Sequence, residues 1–299
     1  MSTLHVGGIQ STETVAEQVK SLDFNPDIFA AKFNREPFLI EHHLADHPLL
    51  QLPALIELSR RLDPASVKYN NGTLSVSADL ENAPANGLSA EETIRRIEEC
   101  HSWMVLKNVQ NDSAYRELLT QCLDEVRIHS EPLETGMCDA RAFIFISSPH
   151  SITPFHIDPE INFLLQIRGR KTVSIFSPFD REILPEQTIE RFCLAENLSL
   201  LTFNEEFRDR AFVAHLSPGI GVHCPVMAPH WVQNGPDVSV SFSITFRSSQ
   251  SKRQRNIYWL NAQLRRFGFA PSPVGKSPWQ DELKYKAFAG LSKVARAIR

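Results

Sequence analysis

From Gly136 onward the chain breaks into short segments rich in β-branched and aromatic residues, at 141–147, 161–167, 171–176, 212–216, 220–226 and 238–246, set apart by Pro, Gly and Ser. Strands this short and this evenly punctuated protect their edges by closing into a barrel or stacking as a sandwich. Within the last of them Ser239, Ser241, Ser243 and Thr245 share one face, and Val240, Phe242 and Ile244 the other, because side chains of a strand alternate. The polar face fits a barrel lumen and fits solvent equally well. Arg168-Gly169-Arg170 reads as a hairpin turn between two of the segments.

The flanks have a different texture. Asn25-Pro26-Asp27 places a cap before a proline at the first helical position and predicts a helix to about Phe33. A second helix is expected over 52–62, and Ser89 with Glu92 forms a capping box for a third, running to about Cys100. Trp103 to Leu106 reads as a short buried strand, and 113–126 as a helix with Leu118, Leu119, Cys122, Leu123 and Val126 on one stripe. After Ser248 the chain turns helical again, over 252–267 up to Gly268, and Ser277-Pro278 opens a last helix. The expected organisation is a mainly helical region over 1–135, a strand-built domain over 136–248 and C-terminal helices over 249–299.

Composition narrows the class. With 42% hydrophobic and 22% charged residues a chain of 299 residues can bury a real core. No apolar run approaches the roughly 20 residues of a membrane span, and Met1 to Lys20 shows no export signal. The five cysteines are scattered, with no CxxC spacing, which fits reduced thiols and a cytoplasmic location and excludes a zinc ribbon. Charge is uneven: residues 252–299 hold 11 basic and 2 acidic side chains, leaving 20 and 33 to the rest. The basic residues fall on helical spacing, so docking on the acidic body or on a second copy is expected ahead of nucleic-acid binding.

The chemistry concentrates in Thr153-Pro154-Phe155-His156-Ile157-Asp158. On an extended segment His156 and Asp158 project to the same side, and together they can take one face of a divalent metal. A third ligand must come from elsewhere, and His223 and His230 are the candidates. Two histidines and one carboxylate leave three positions open, an arrangement suited to Fe(II) that binds a chelating cosubstrate and then O₂. Beyond Asp158, Asn162, Leu164 and Gln166 continue the even-numbered face, and Lys171 opens the returning strand, where it is either a solvated hairpin-end lysine or a partner for a carboxylate at the barrel mouth.

The run from Thr153 to Phe176, with Asn162, Gln166, Gly169 and Lys171 at their spacings, resembles the cupin-like branch of the JmjC family, Fe(II)- and 2-oxoglutarate-dependent oxygenases. The 15-residue step from His156 to Lys171 is similar to that of the asparaginyl hydroxylase of hypoxia-inducible factor. Pro218-Gly219, then Pro225 with His230 five residues on, resembles the family's second ligand motif. The resemblance implies a mostly β core, a double-stranded β-helix of the jelly-roll or cupin type, with a helical N-terminal region and C-terminal helices. It implies a dioxygenase that hydroxylates a protein side chain or a small metabolite. It assigns His156, Asp158 and His230 to iron and to catalysis, Lys171 and Thr153 to the distal carboxylate of 2-oxoglutarate, and Asn162 and Ser243 to the lining of the cosubstrate pocket. Val105 stands, beside Trp103, where the hydroxylase has a tyrosine, and Ser243 where it has an asparagine. His223 is left as a hydrogen-bonded strand residue, and His42, His43 and His47 as surface or core-edge groups.

Two other readings stand beside this one. A metal-binding cupin with chemistry independent of 2-oxoglutarate would leave Lys171 without a task, and a non-catalytic jumonji-type regulator would need a DNA-binding motif that the sequence does not display. A homodimer through the C-terminal helices is expected, from the stripes Ile257, Leu260, Leu264, Phe267 and Phe288, Leu291, Val294 together with the same resemblance.

Overall fold

The computed structural model describes residues 20–79, 83–195 and 201–297. The expectation for Met1 to Lys20 therefore lies, Lys20 apart, outside the described residues, as does the side chain of Val294. Along the N-terminal part run β1 (Leu22–Asp23), α1 (Pro26–Lys32), β2 (Phe38–His42), α2 (Leu52–Arg61), β3 (Val67–Asn71), α3 (Ala90–Arg95), β4 (Ser102–Lys107) and α4 (Ser113–Ser130). Local signals account for their starts. The Asn25 side chain accepts from the Asp27 and Ile28 N–H groups, and Ser89 accepts from Glu92 N–H. Helix α3 stops at Arg95, short of the expected Cys100, and the chain passes through turns into β4.

The central part divides between two sheets, alternating except at β8 and β9: β5 (Cys138–Ser147), β6 (Ile152–His156), β7 (Ile161–Arg168), β8 (Lys171–Ile175), α5 (Glu186–Ala195), β9 (Phe212–Leu216), β10 (Ile220–Cys224), β11 (His230–Asn234) and β12 (Ser239–Arg247). One sheet has the order β1-β2-β10-β7-β12-β5-β4-β3 and the other β6-β11-β8-β9, with antiparallel pairings throughout. Strands β5 to β12 thus form a double-stranded β-helix, and the N-terminal strands widen one of its sheets. The turn at Gly169 requires glycine, since its φ is +69° and a Cβ there would strike the Val238 carbonyl.

Each face of the wide sheet has its own core. Toward the helices, Ile144, Phe163, Leu165, Phe242 and Phe246 pack with Phe29 of α1, Leu55 and Leu58 of α2 and Leu119 and Val126 of α4. Toward the second sheet, Leu164, Val222 and Cys224 meet Val173, Ile175, Ala214, Leu216 and Val232. This second cluster closes the lumen.

The chain ends in α6 (Ser249–Arg266) and α7 (Pro278–Ala297). Ser248 caps α6 through Ser251, which starts the helix three residues before the expected 252. Ile257 and Leu260 are buried, whereas Phe267 and Leu291 of the expected stripes are exposed. Several basic residues of this region are tied to acidic partners: Lys252 to Asp139 at 3.1 Å, Arg265 to buried Glu190 at 2.6 Å and Arg253 to Glu282 at 2.7 Å. Among the described residues no helix is long and apolar enough to cross a membrane.

Candidate metal centre

The two stretches that carry candidate ligands are neighbours in the smaller sheet. Strand β6 pairs with β11 so that His156 and His230 are register partners, and their rings lie 4.2 Å apart. Asp158 follows β6 in a loop whose carbonyl at Asp158 accepts from Met227 N–H at 2.9 Å, which ties it to the loop before β11. One ligand atom from each of His156, Asp158 and His230 lies within 4.8 Å of the others. His156 Nε2 is 3.9 Å from Asp158 Oδ1, and His230 Nε2 is 3.6 Å from Asp158 Oδ2. Neighbouring ligands of one cation at metal–ligand distances of ~2.1 Å sit roughly 3 Å apart, so each histidine is within about an ångström of its bound distance from the Asp158 carboxylate.

The histidines are already in the required tautomer. Nδ1 of His156 donates to the Pro154 carbonyl at 2.7 Å, and Nδ1 of His230 donates to the Ala228 carbonyl at 2.9 Å. A carbonyl only accepts, so in each neutral ring the proton sits on Nδ1 and the lone pair of Nε2 faces the cluster. Both rings are buried while the Asp158 side chain is one-third exposed, so the centre opens to solvent on the carboxylate side.

Lys171 shares its face of β8 with Val173 and Ile175, both in the lumen cluster, and is only 6% exposed. Among the described residues its ammonium makes no hydrogen bond or ion pair, and desolvation pushes its pKa down to about 7. Thr153, on β6, is buried opposite Val232 of the same lumen. Ser243 donates to Asn162 Oδ1 at 2.8 Å, and both are buried. Gln166 is bound into the scaffold: its Oε1 accepts from Ser241 at 2.7 Å, and its Nε2 donates to Ser239 Oγ at 3.0 Å and to the Arg168 carbonyl at 2.6 Å.

His223 lies on the other side of the wide sheet, away from the cluster. Its ring packs on Phe33, Phe38 and Phe163, Nε2 accepts from Asn34 N–H at 2.9 Å, and Nδ1 donates to the Asn162 carbonyl at 3.2 Å. Burial holds its pKa near 3. Among the described residues His42, His43 and His47 form no metal-binding group; His43 pairs with Asp23 at 2.7 Å and His47 caps a short turn.

Three features have no counterpart in the sequence pattern. Glu160 and Arg247 form a buried ion pair at 2.9 Å that anchors the loop following Asp158 to the end of β12. Cys224 Sγ lies 3.8 Å from His230 Nδ1. Asn70 on β3 is buried beside Trp103. The first and third depend on pairing between strands distant in sequence, and the second on the packing of one sheet against the other; the only local trace is an acidic residue two positions after Asp158.

Solved structures of this architecture include an X-ray structure of E. coli YcfD, with a TM-score of 0.50 and 14% identity over 90% of this chain and 67% of that one. A crystal structure of Escherichia coli ribosomal oxygenase YcfD has a TM-score of 0.49 at 15% identity, over 90% of this chain and 66% of that one. YcfD in complex with cobalt and 2-oxoglutarate has a TM-score of 0.48 at 15% identity, over the same 90% and 66%. The chain spans about two thirds of the length of these proteins, at 66–67%, and at 14% identity the likeness to the first of them is one of fold. The family profile of the cupin-like domain matches residues 33–252. That match takes in both ligand-bearing strands, the lumen and, of the N-terminal strands that widen the sheet, β2 to β4, and the chain belongs to the family of cupin-like domains.

Proposed function

We infer that the protein is an Fe(II)- and 2-oxoglutarate-dependent oxygenase that hydroxylates a protein side chain or a small metabolite. One observation carries the reading: a two-histidine, one-carboxylate cluster shares its barrel with a buried ammonium that has no partner among the described residues. An unpaired buried cation destabilises the fold and persists only where an anion repays it. Bound Fe(II) and 2-oxoglutarate would supply an oxidation by O₂, one oxygen atom ending in the succinate left when the 2-oxo acid loses CO₂ and the other in a substrate C–H bond that becomes C–OH.

The residues of the chain bind and orient. Nε2 of His156 and His230 and the Asp158 carboxylate would hold the metal from one side and leave the other for chelation and O₂. Lys171 and Thr153 would hold the distal carboxylate with a charge and a hydroxyl, offsetting its desolvation. Asn162 and Ser243, bonded to each other, line the lumen. A cupin with chemistry independent of 2-oxoglutarate leaves Lys171 an unexplained destabilising group. Nucleic acid is not proposed as a partner, since basic residues of the C-terminal region are engaged with acidic ones.

The proposed location is the cytoplasm, and the proposed assembly is a homodimer through the C-terminal helices, where Phe267, Trp279, Leu283 and Leu291 are exposed. Size-exclusion chromatography with light scattering is expected to give twice the 33.9 kDa chain mass; a monomer at micromolar concentration overturns the assembly. For the reaction, Fe(II)-loaded protein is expected to form succinate from 2-oxoglutarate, and His156→Ala and Asp158→Ala to reduce that to background. Wild-type rates in either variant overturn the assignment.

A further inference from the structure

On the lumen side of β3 and β4 two buried N–H donors go unanswered. Trp103 is 4% exposed and its register partner Asn70 is 8% exposed. Neither the indole Nε1 nor the amide Nδ2 has an acceptor among the described residues. Around the indole on that face lie Val105, Leu74, Phe143 and Phe145, which offer it carbon. Native folds rarely keep such donors unsatisfied, and an orphaned one asks for an explanation.

These donors stand at the same end of the barrel as Lys171. Ser102, which precedes Trp103, closes on Gly72, where a Cβ would lie 2.9 Å from the Ser102 carbonyl carbon and 3.0 Å from Ser151 Cβ. Ser151 accepts from the Asn234 side-chain amide at 3.0 Å, and Asn234 is the register partner of Lys171. Thr153 lies two residues beyond Ser151, on β6. A tryptophan, a threonine and a lysine from three strands thus gather toward one end of the lumen, while the metal ligands sit toward the other.

We propose that Trp103 donates its indole N–H to the distal carboxylate of 2-oxoglutarate, beside Lys171 and Thr153. The proposal rests on the oxygenase reading and deepens it. It makes Trp103 a determinant of selectivity for a 2-oxo acid with a second carboxylate, with Asn70 keeping the same wall rich in donors.

The test separates the two ends of the cosubstrate. Mn(II)-loaded protein is titrated calorimetrically with 2-oxoglutarate and with oxalate, which chelates the metal but has no distal carboxylate. Trp103→Phe keeps the ring packing and removes the N–H. It is expected to weaken 2-oxoglutarate about tenfold or more, as befits one hydrogen bond to a charged acceptor, and to leave oxalate within about twofold. Unaltered 2-oxoglutarate affinity in the variant, or equal losses for both ligands, overturns the role of Trp103 alone. A wild-type protein that binds Mn(II) and oxalate but no 2-oxoglutarate overturns the oxygenase reading and this proposal with it. A measurement free of Trp103 substitution stands beside it. In Zn(II)-loaded protein with ¹⁵N-labelled tryptophan, four indole N–H signals are available, from Trp103, Trp231, Trp259 and Trp279. One is expected to move downfield with 2-oxoglutarate and not with oxalate; no such ligand-specific shift overturns the contact.

Discussion

The two faces of β12 are equally buried and chemically opposite. Val240, Phe242, Ile244 and Phe246 face the helices, and Ser239, Ser241, Ser243 and Thr245 face the lumen, all of them shut away from water. On the helix side burial is itself the stabilising term, a few kcal/mol for each large side chain. On the lumen side it is a penalty unless every polar group finds a partner. The sheet meets that demand in rungs, Ser241 with Gln166 and Ser243 with Asn162. Where the rungs stop, at Lys171 and Trp103, the lumen fails to satisfy itself. The comparison teaches that depth of burial does not mark a site; unmet polar demand inside a buried face does.

The strongest way to break this contrast is to empty the helix side. Phe242→Ala is expected to lower the unfolding free energy by about 3–5 kcal/mol, read as a fall in the urea midpoint, while metal stoichiometry stays at that of the wild type. A stability change under about 1 kcal/mol would show that the two faces share one core. Next comes Lys171→Met on the lumen side, expected to act in two opposite directions. The ligand-free protein becomes more stable, by about 1–3 kcal/mol, because a buried cation with no partner among the described residues is replaced by an apolar chain of similar length. Affinity for 2-oxoglutarate falls by about two orders of magnitude or more. Thermal melts with and without 2-oxoglutarate read both effects, and destabilisation of the ligand-free form would sink the contrast.

The same lysine sets a pH dependence. Its pKa lies at about 7 in the native state, against 10.5 for an ordinary lysine such as the unfolded chain presents. Below pH 7 both states hold the proton; between the two values only the unfolded chain does. The native state binds fewer, so stability rises with pH through that window. Binding of a carboxylate prefers the ammonium, so the 2-oxoglutarate Kd is expected to be flat below neutrality and to rise by up to about tenfold per unit above it. A flat profile to pH 9, or a slope that survives Lys171→Met, would remove Lys171 from the pocket.

The smallest effect belongs to His223, on the helix side. Its pKa is about 3 in the folded protein against an ordinary 6.5, so the unfolded chain binds a proton first and stability falls as pH drops from 6.5 toward 3. His223→Gln is expected to reduce that acid loss and to change stability at pH 7 by about 1–2 kcal/mol, with metal uptake unaltered. Urea titrations at pH 7 and 4.5 measure both.

Legibility followed the range of the interactions. The strand at 212–216 was readable to the residue, since alternation and flanking breakers act within a few positions. Helix α5 and strand β11 were not read, because Glu186–Ala195 carries no cap signal and His230–Asn234 holds only two apolar side chains, Trp231 and Val232, side by side. His156 and Asp158 were visible as a pair from their spacing. His223 and His230 both qualified as partners from the residues alone, and the choice between them came from a resemblance. The structure places His230 against His156 and turns His223 into the opposite core.

The amino-acid order by itself determined the alternating strands, the turns and the helix caps, because these arise from backbone sterics and from side chains that reach only their near neighbours. It also determined that one face of β12 is polar. Tertiary structure alone decided that this polar face is dry, that Lys171 is buried on the facing sheet without a partner among the described residues and that two distant histidines present Nε2 to one carboxylate. Burial, desolvation and cross-sheet register are properties of the closed barrel, and no segment possesses them until all the strands have met.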